Sequence, residues 1–172
     1  MQTIAPPDQT EFAQYYVTYV SQVPQGDIRT ILEAQESDTL QLLRGIPEDR
    51  SLHRYAPDKW TIRQVVSHIN DTERMFVFRA MWFARGFDSA LPSFDQDVAI
   101  RSAGADARTL ASHVEEFRAV RDATVTLFRS LPDEAWSHRG TASGNAVTVR
   151  ALAYITAGHV AHHVRLLRER YL

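Results

Sequence analysis

Hydrophobic residues recur every three to four positions through four long stretches of this chain, and each stretch breaks its apolar stripe near the middle with polar side chains. Asp27 caps the first long helix, which runs to about Ile46 on the stripe Ile28, Leu32, Gln35, Thr39, Leu42 and Ile46. The second begins at Trp60: Thr61 and Gln64 form a capping box, and Trp60 against Val65 supplies a hydrophobic staple. It extends to about Arg85 on Ile62, Val65, Ile69, Thr72, Phe76, Arg79 and Phe83, with His68 at the stripe's edge and Gly86 as a left-handed cap. The third starts at Asp106 or Thr109 and reaches Leu131 on Leu110, Val114, Phe117, Arg121, Thr124 and Phe128, where Pro132 stops it. The last spans Thr148 to Arg170, and its apolar face of Val149, Leu152 and Leu166 also carries His159 and His163.

The segments between are shorter. After Pro6 and Pro7, Asp8 or Thr10 caps a short aromatic helix over Glu11–Val23, ended by Pro24 and Gly26. Residues Phe87–Ala105 form a long connection, and such loops often line a functional mouth. Gly140–Asn145 reads as a loop, and no segment alternates as a strand would. The expected fold is all-α: a four-helix bundle with an additional short N-terminal helix, one domain over residues 1–172 with residues 1–8 a loosely ordered lead-in.

Composition narrows the function classes. Of 172 residues, 44% are hydrophobic and 23% charged, ordinary values for a globular protein. A net charge of −2 gives no electrostatic footprint for nucleic acid or an anionic membrane. No apolar run reaches membrane-spanning length, and the N-terminus lacks a signal peptide's basic and apolar regions. With no cysteine, disulfides and thiolate ligands are excluded, which fits a reducing cytoplasm. Any thiol chemistry requires an external thiol.

The polar breaks carry the candidate chemistry. They comprise Gln35 and Thr39, then His68, Thr72 and Arg79, then Arg121 and Thr124, then Thr156, His159 and His163. At comparable heights in a bundle they would form one interior polar pocket, costly unless its members satisfy one another or hold a ligand. His159 and His163, spaced i, i+4, share one helix face, and His68 joins them from another helix. Three neutral imidazoles suit a divalent transition metal and leave a position open for water or substrate. Hydrogen-bonded core histidines are the alternative, and spacing leaves both readings open. His162 is rotated by about 100° from His163 and belongs to the rim. Asp95, Asp97 and His162 are candidate bases or supporting groups, and Arg121 and Arg79 candidate anion binders, although either arginine could instead pair with Asp71 or Glu73. His53, His113 and His138 are expected in loops or on a helix surface, solvated.

Three segments resemble one known family. Trp60-Thr61-Ile62-Arg63-Gln64-Val65-Val66-Ser67-His68-Ile69-Asn70-Asp71-Thr72-Glu73-Arg74, the loop Leu91–Asp97, and Ala157-Gly158-His159-Val160-Ala161-His162-His163 are similar, in order and spacing, to segments of the DinB-like (YfiT-like) superfamily. The resemblance implies a four-helix bundle, often dimeric, with zinc or nickel held by three histidines, here His68, His159 and His163. It further implies metal-dependent hydrolases, with some relatives transferring low-molecular-weight bacterial thiols. The expectation is therefore a metal-dependent enzyme acting on a small-molecule substrate, with an external thiol as a possible co-reactant. The other reading is a non-catalytic, dimeric metal- or ligand-binding bundle. Neither a nucleic acid nor a membrane is an expected partner.

Overall fold

A computed structural model describes residues 3–172. Four long helices carry the fold: α2 (Ile28–Arg44), α3 (Ile62–Ala84), α5 (Leu110–Ser130) and α6 (Val149–Leu166), with α3 packed on both α5 and α6 and α2 on α5. Their starts are those the sequence predicts. Asp27, Thr61, Thr109 and Thr148 each accept a backbone N–H of the first turn, and Thr61 and Gln64 complete the capping box. Between α3 and α5 lies the short α4 (Gln96–Ser102), so the long connection is partly helical. No helix among the described residues is long and apolar enough to cross a membrane.

Two elements differ from expectation. The N-terminal segment is not one helix over 11–23 but two 3-10 turns, Gln9–Glu11 and Gln14–Tyr16, running into a single α turn, α1 (Val17–Val20). Two of its aromatics are seated separately on the bundle, Tyr16 against Phe76 of α3 and Tyr19 against His159 of α6. The segment from Ile4 is tied down as well: Ile4 is buried, and the Tyr154 hydroxyl donates to its carbonyl at 3.0 Å. Residues 139–148 form a hairpin, with β1 (Arg139–Ala142) antiparallel to β2 (Asn145–Thr148). The two turn residues, Ser143 and Gly144, have φ of 52° and 75°, as a tight hairpin turn requires. Gly140 lets this hairpin lie directly on the Phe83 ring, which a Cβ there would penetrate.

The bundle core is two apolar clusters with a polar layer between them. One holds Ile28, Leu32, Phe76, Phe83, Phe128, Leu152 and Ile155; the other holds Leu43, Ile62, Ile69, Leu110, Phe117, Val160 and Leu167. On α2 and α5 the polar break falls between the residues of one cluster and those of the other. On α3 and α6 Thr72 and His159 mark that boundary, while His68 and His163 lie among residues of the second cluster and Arg79 and Thr156 among those of the first. On α2 it is Leu43, not the expected Leu42, that reaches the second cluster fully.

Candidate metal centre

The polar layer divides into two parts rather than forming one pocket. On the α2–α5 side, Arg121 is fully buried and makes a two-pronged ion pair with Glu73, Nε to Oε1 at 2.8 Å and Nη2 to Oε2 at 2.7 Å. Its Nη1 donates to the Leu32 carbonyl and to Gln35 Oε1, while Gln35 Nε2 donates across to the Ala157 carbonyl. This network is closed: Arg121 pairs with Glu73, one of the two carboxylates the sequence offers it. Thr124 and Thr156 return their hydroxyl protons to their own helices, to the Val120 and Leu152 carbonyls.

On the α3–α6 side, three imidazoles converge. His68 Nε2 lies 3.0 Å from His159 Nε2, which lies 3.1 Å from His163 Nε2, and the ligand atoms of all three fall within 4.8 Å of one another. The i, i+4 spacing on α6 stacks two rings, and the third arrives from α3 because those two helices pack along that face. Ring contacts hold them in place: Trp60 on His68 at 4.9 Å, and Tyr19 and Phe76 on His159 at 5.4 and 5.9 Å between centroids. The Thr72 hydroxyl stands 3.3 Å from His68 Nδ1, the atom that carries the proton when Nε2 offers its lone pair.

Burial disfavours the charged form of every ring. Desolvation, with the nearby His162, brings His68 down to about 4; desolvation and the neighbouring imidazoles hold His159 and His163 well below the ordinary histidine value. All three are neutral at pH 7. Hydrogen bonding alone cannot satisfy them, because a neutral imidazole Nε2 offers either one N–H or one lone pair, and His159 Nε2 faces two partners. The donor set fits a cation instead. Two bonds of about 2.0–2.1 Å at a tetrahedral angle put their nitrogens about 3.3 Å apart, close to the separations here. The three histidines are thus a buried group that could hold a metal ion.

A cleft of about 290 Å³ opens onto this group, lined by His68, Thr72, Phe76 and His159 from the bundle and by Tyr15, Tyr16, Tyr19, Phe94, Gln96 and Ser143 from outside it. The seat of the N-terminal tyrosines beside the histidines depends on that segment crossing α6, which periodicity does not reveal. His162 is half-buried at the edge, its ring 5.4 Å from Tyr19 and 5.1 Å from His163. Asp95 and Asp97 do not join the site. Asp95 Oδ1 caps α4 by accepting from the Asp97 and Val98 amides, and both side chains are exposed. His113, expected to be solvated, is fully buried, with Nε2 donating to the Ala105 carbonyl at 2.9 Å. His138 is half-buried against the Phe83 carbonyl, and His53 is exposed.

Known proteins share this fold. YfiT from Bacillus subtilis, described as a probable metal-dependent hydrolase with an unusual four-helix bundle topology, superposes with a TM-score of 0.67 at 16% identity, over 94% of this chain and 91% of its own. A mycothiol-dependent maleylpyruvate isomerase superposes with a TM-score of 0.66 at 15% identity, over 80% of this chain but only 58% of the isomerase. At such identities the likeness is one of fold. No functionally curated protein matches by sequence. The family model of the DinB superfamily matches residues 31–167, which contain all three converging histidines, and the chain belongs to that superfamily.

Proposed function

We propose that this protein is a metal-dependent enzyme in which His68, His159 and His163 hold a divalent transition metal, zinc or nickel, and a small-molecule electrophile reacts in the adjoining cleft. The observation that carries this reading is the meeting of three neutral Nε2 atoms at 3.0 and 3.1 Å, which no arrangement of their own protons satisfies. When bound, such an ion lowers the pKa of a thiol or water molecule that reaches it, so that a nucleophile is available at neutral pH.

The chain's own residues define the surroundings. Trp60, Tyr19 and Phe76 pack against the imidazoles and limit water, while Thr72 steadies His68 in the tautomer that leaves Nε2 free. No carboxylate lines the cleft among the described residues, so a general base for hydrolysis is wanting there. That supports an external low-molecular-weight thiol over water as the nucleophile, and the similarity in fold to a mycothiol-dependent isomerase agrees with it. The chain contains no cysteine of its own to serve.

Melting of metal-stripped and reloaded protein tests whether the metal is catalytic. Stripped protein that still unfolds cooperatively, and thiol transfer to a model electrophile that returns on reloading, are the expected results. Stripped protein without a cooperative transition would assign the metal to structure instead.

A further inference from the structure

Among the described residues three arginines are buried: Arg29, Arg79 and Arg121. Arg29 is paired with Asp27 and Arg121 with Glu73. Arg79, only 3% exposed, has no carboxylate partner among the described residues. Its Nη2 donates to the Pro92 carbonyl at 2.7 Å and the Ser143 hydroxyl at 3.0 Å, and Tyr16 stands beside it. Neutral dipoles only partly replace the water a guanidinium gives up, and a buried charge with no counter-charge is costly.

Arg79 lies close to three full helical turns beyond His68, so both project from the same face of α3, with Thr72 and Phe76 between them. The two Cα atoms are separated by about 16 Å of helix rise. Tyr16 and Ser143 both line the cleft, and both touch Arg79. The cleft therefore has the imidazoles at one end and two hydroxyls backed by a guanidinium at the other, with Met75, Phe76 and Phe94 as apolar walls. Ser143, at φ 52°, holds a backbone conformation that few residues adopt, and its hydroxyl is fixed by Arg79. No lysine or arginine lines the cleft itself, so the charge it can receive is small: one carboxylate rather than a phosphate dianion.

We infer that the cleft takes a carboxylate-bearing small molecule with an apolar body, its carboxylate accepting from the Tyr16 and Ser143 hydroxyls that Arg79 backs and its reacting end at the three histidines. This rests on the metal-dependent reading for the reacting end alone; the anion end stands on Arg79.

Calorimetric titration with phenylbutyrate and with phenylbutyramide, an uncharged probe of the same shape, tests it. Wild-type protein is expected to bind the carboxylate at least about tenfold more tightly than the amide, as the loss of a charged hydrogen bond implies. Equal affinities in the wild type would overturn the inference whatever any variant does. Arg79→Gln is expected to erase the preference and Arg79→Lys to restore part of it; a preference unchanged in folded Arg79→Gln would also overturn it. A merely structural Arg79 would lower the melting temperature without altering the ratio of the two affinities. Metal-stripped protein should keep the preference. Its loss on stripping, with Arg79→Gln unaffected, would place the carboxylate on the metal, refuting this inference while upholding the metal centre.

Discussion

The backbone of Tyr19 crosses α6 so closely at Gly158 that a Cβ on Gly158 would stand 2.2 Å from the Tyr19 carbonyl oxygen. The residue before His159 is thus the point at which the N-terminal segment is laid over the histidines, and the Tyr19 ring reaches His159 and His162 from there. Alanine is the better helix former by about 1 kcal/mol. The obstacle is backbone, however, and cannot rotate away, so overpacking of about 1–3 kcal/mol wins. Gly158→Ala is expected to lower stability in urea melts and to expose His159 to imidazole-directed reagents. An alanine variant as stable as the wild type, with His159 equally protected, would show that the segment does not rest there.

The Arg121–Glu73 pair is sealed in the bundle and hydrogen-bonded on every side. Removing one partner strands a charge in the interior. Arg121→Met alone, or Glu73→Leu alone, should cost about 3–5 kcal/mol, and the double variant less than the sum, because neither charge is then left unpaired. Chemical denaturation of the three variants gives the coupling energy directly; additive losses would contradict a paired role.

Glu11 fastens the N-terminal segment to the start of α6. Burial alone would raise its pKa, but the Arg150 guanidinium, the Asp8 amide and the Thr148 hydroxyl outweigh burial, and it falls below the ordinary glutamate value of 4.5. Because the folded-state pKa is depressed, the folded protein holds this proton less readily than the unfolded chain. The contribution to stability is present above about pH 4.5 and disappears as pH falls through the folded value. Melting temperatures of wild type and Glu11→Gln should differ at neutral pH and converge in acid. Parallel curves across that range would remove Glu11 from the tether.

Much of the fold and of the histidine group is legible in the sequence. Caps at Asp27, Thr61, Thr109 and Thr148 depend on residues within a turn of one another, so sequence reports them faithfully. The histidines were legible for the same reason on α6, where i, i+4 spacing guarantees contact; His68 needed only the assumption that α3 packs on α6. The hairpin was hidden because its strands are short and its turn is Ser143-Gly144, not Asn-Gly or Asp-Gly. The seat of Tyr15, Tyr16 and Tyr19 was hidden because it depends on where one chain segment crosses another. Glu73 could be named as a partner for Arg121, but nothing local separated it from Asp71, which lies on a partly exposed face beside Arg74. The cap that Asp95 gives α4 was hidden for the opposite reason: an aspartate opening a short helix and one bound to a site look alike in sequence.

The central claim is a transition metal held by His68, His159 and His163. Elemental analysis of freshly purified protein, beside His68→Ala shown by circular dichroism to be folded, tests it most directly. About one zinc or nickel ion per chain is expected in the wild type, falling at least tenfold in the variant when both are dialysed at matched free metal, since a missing ligand leaves two imidazoles. Wild-type protein that contains no transition metal, takes none up on dialysis and is no less stable for lacking it would contradict the claim.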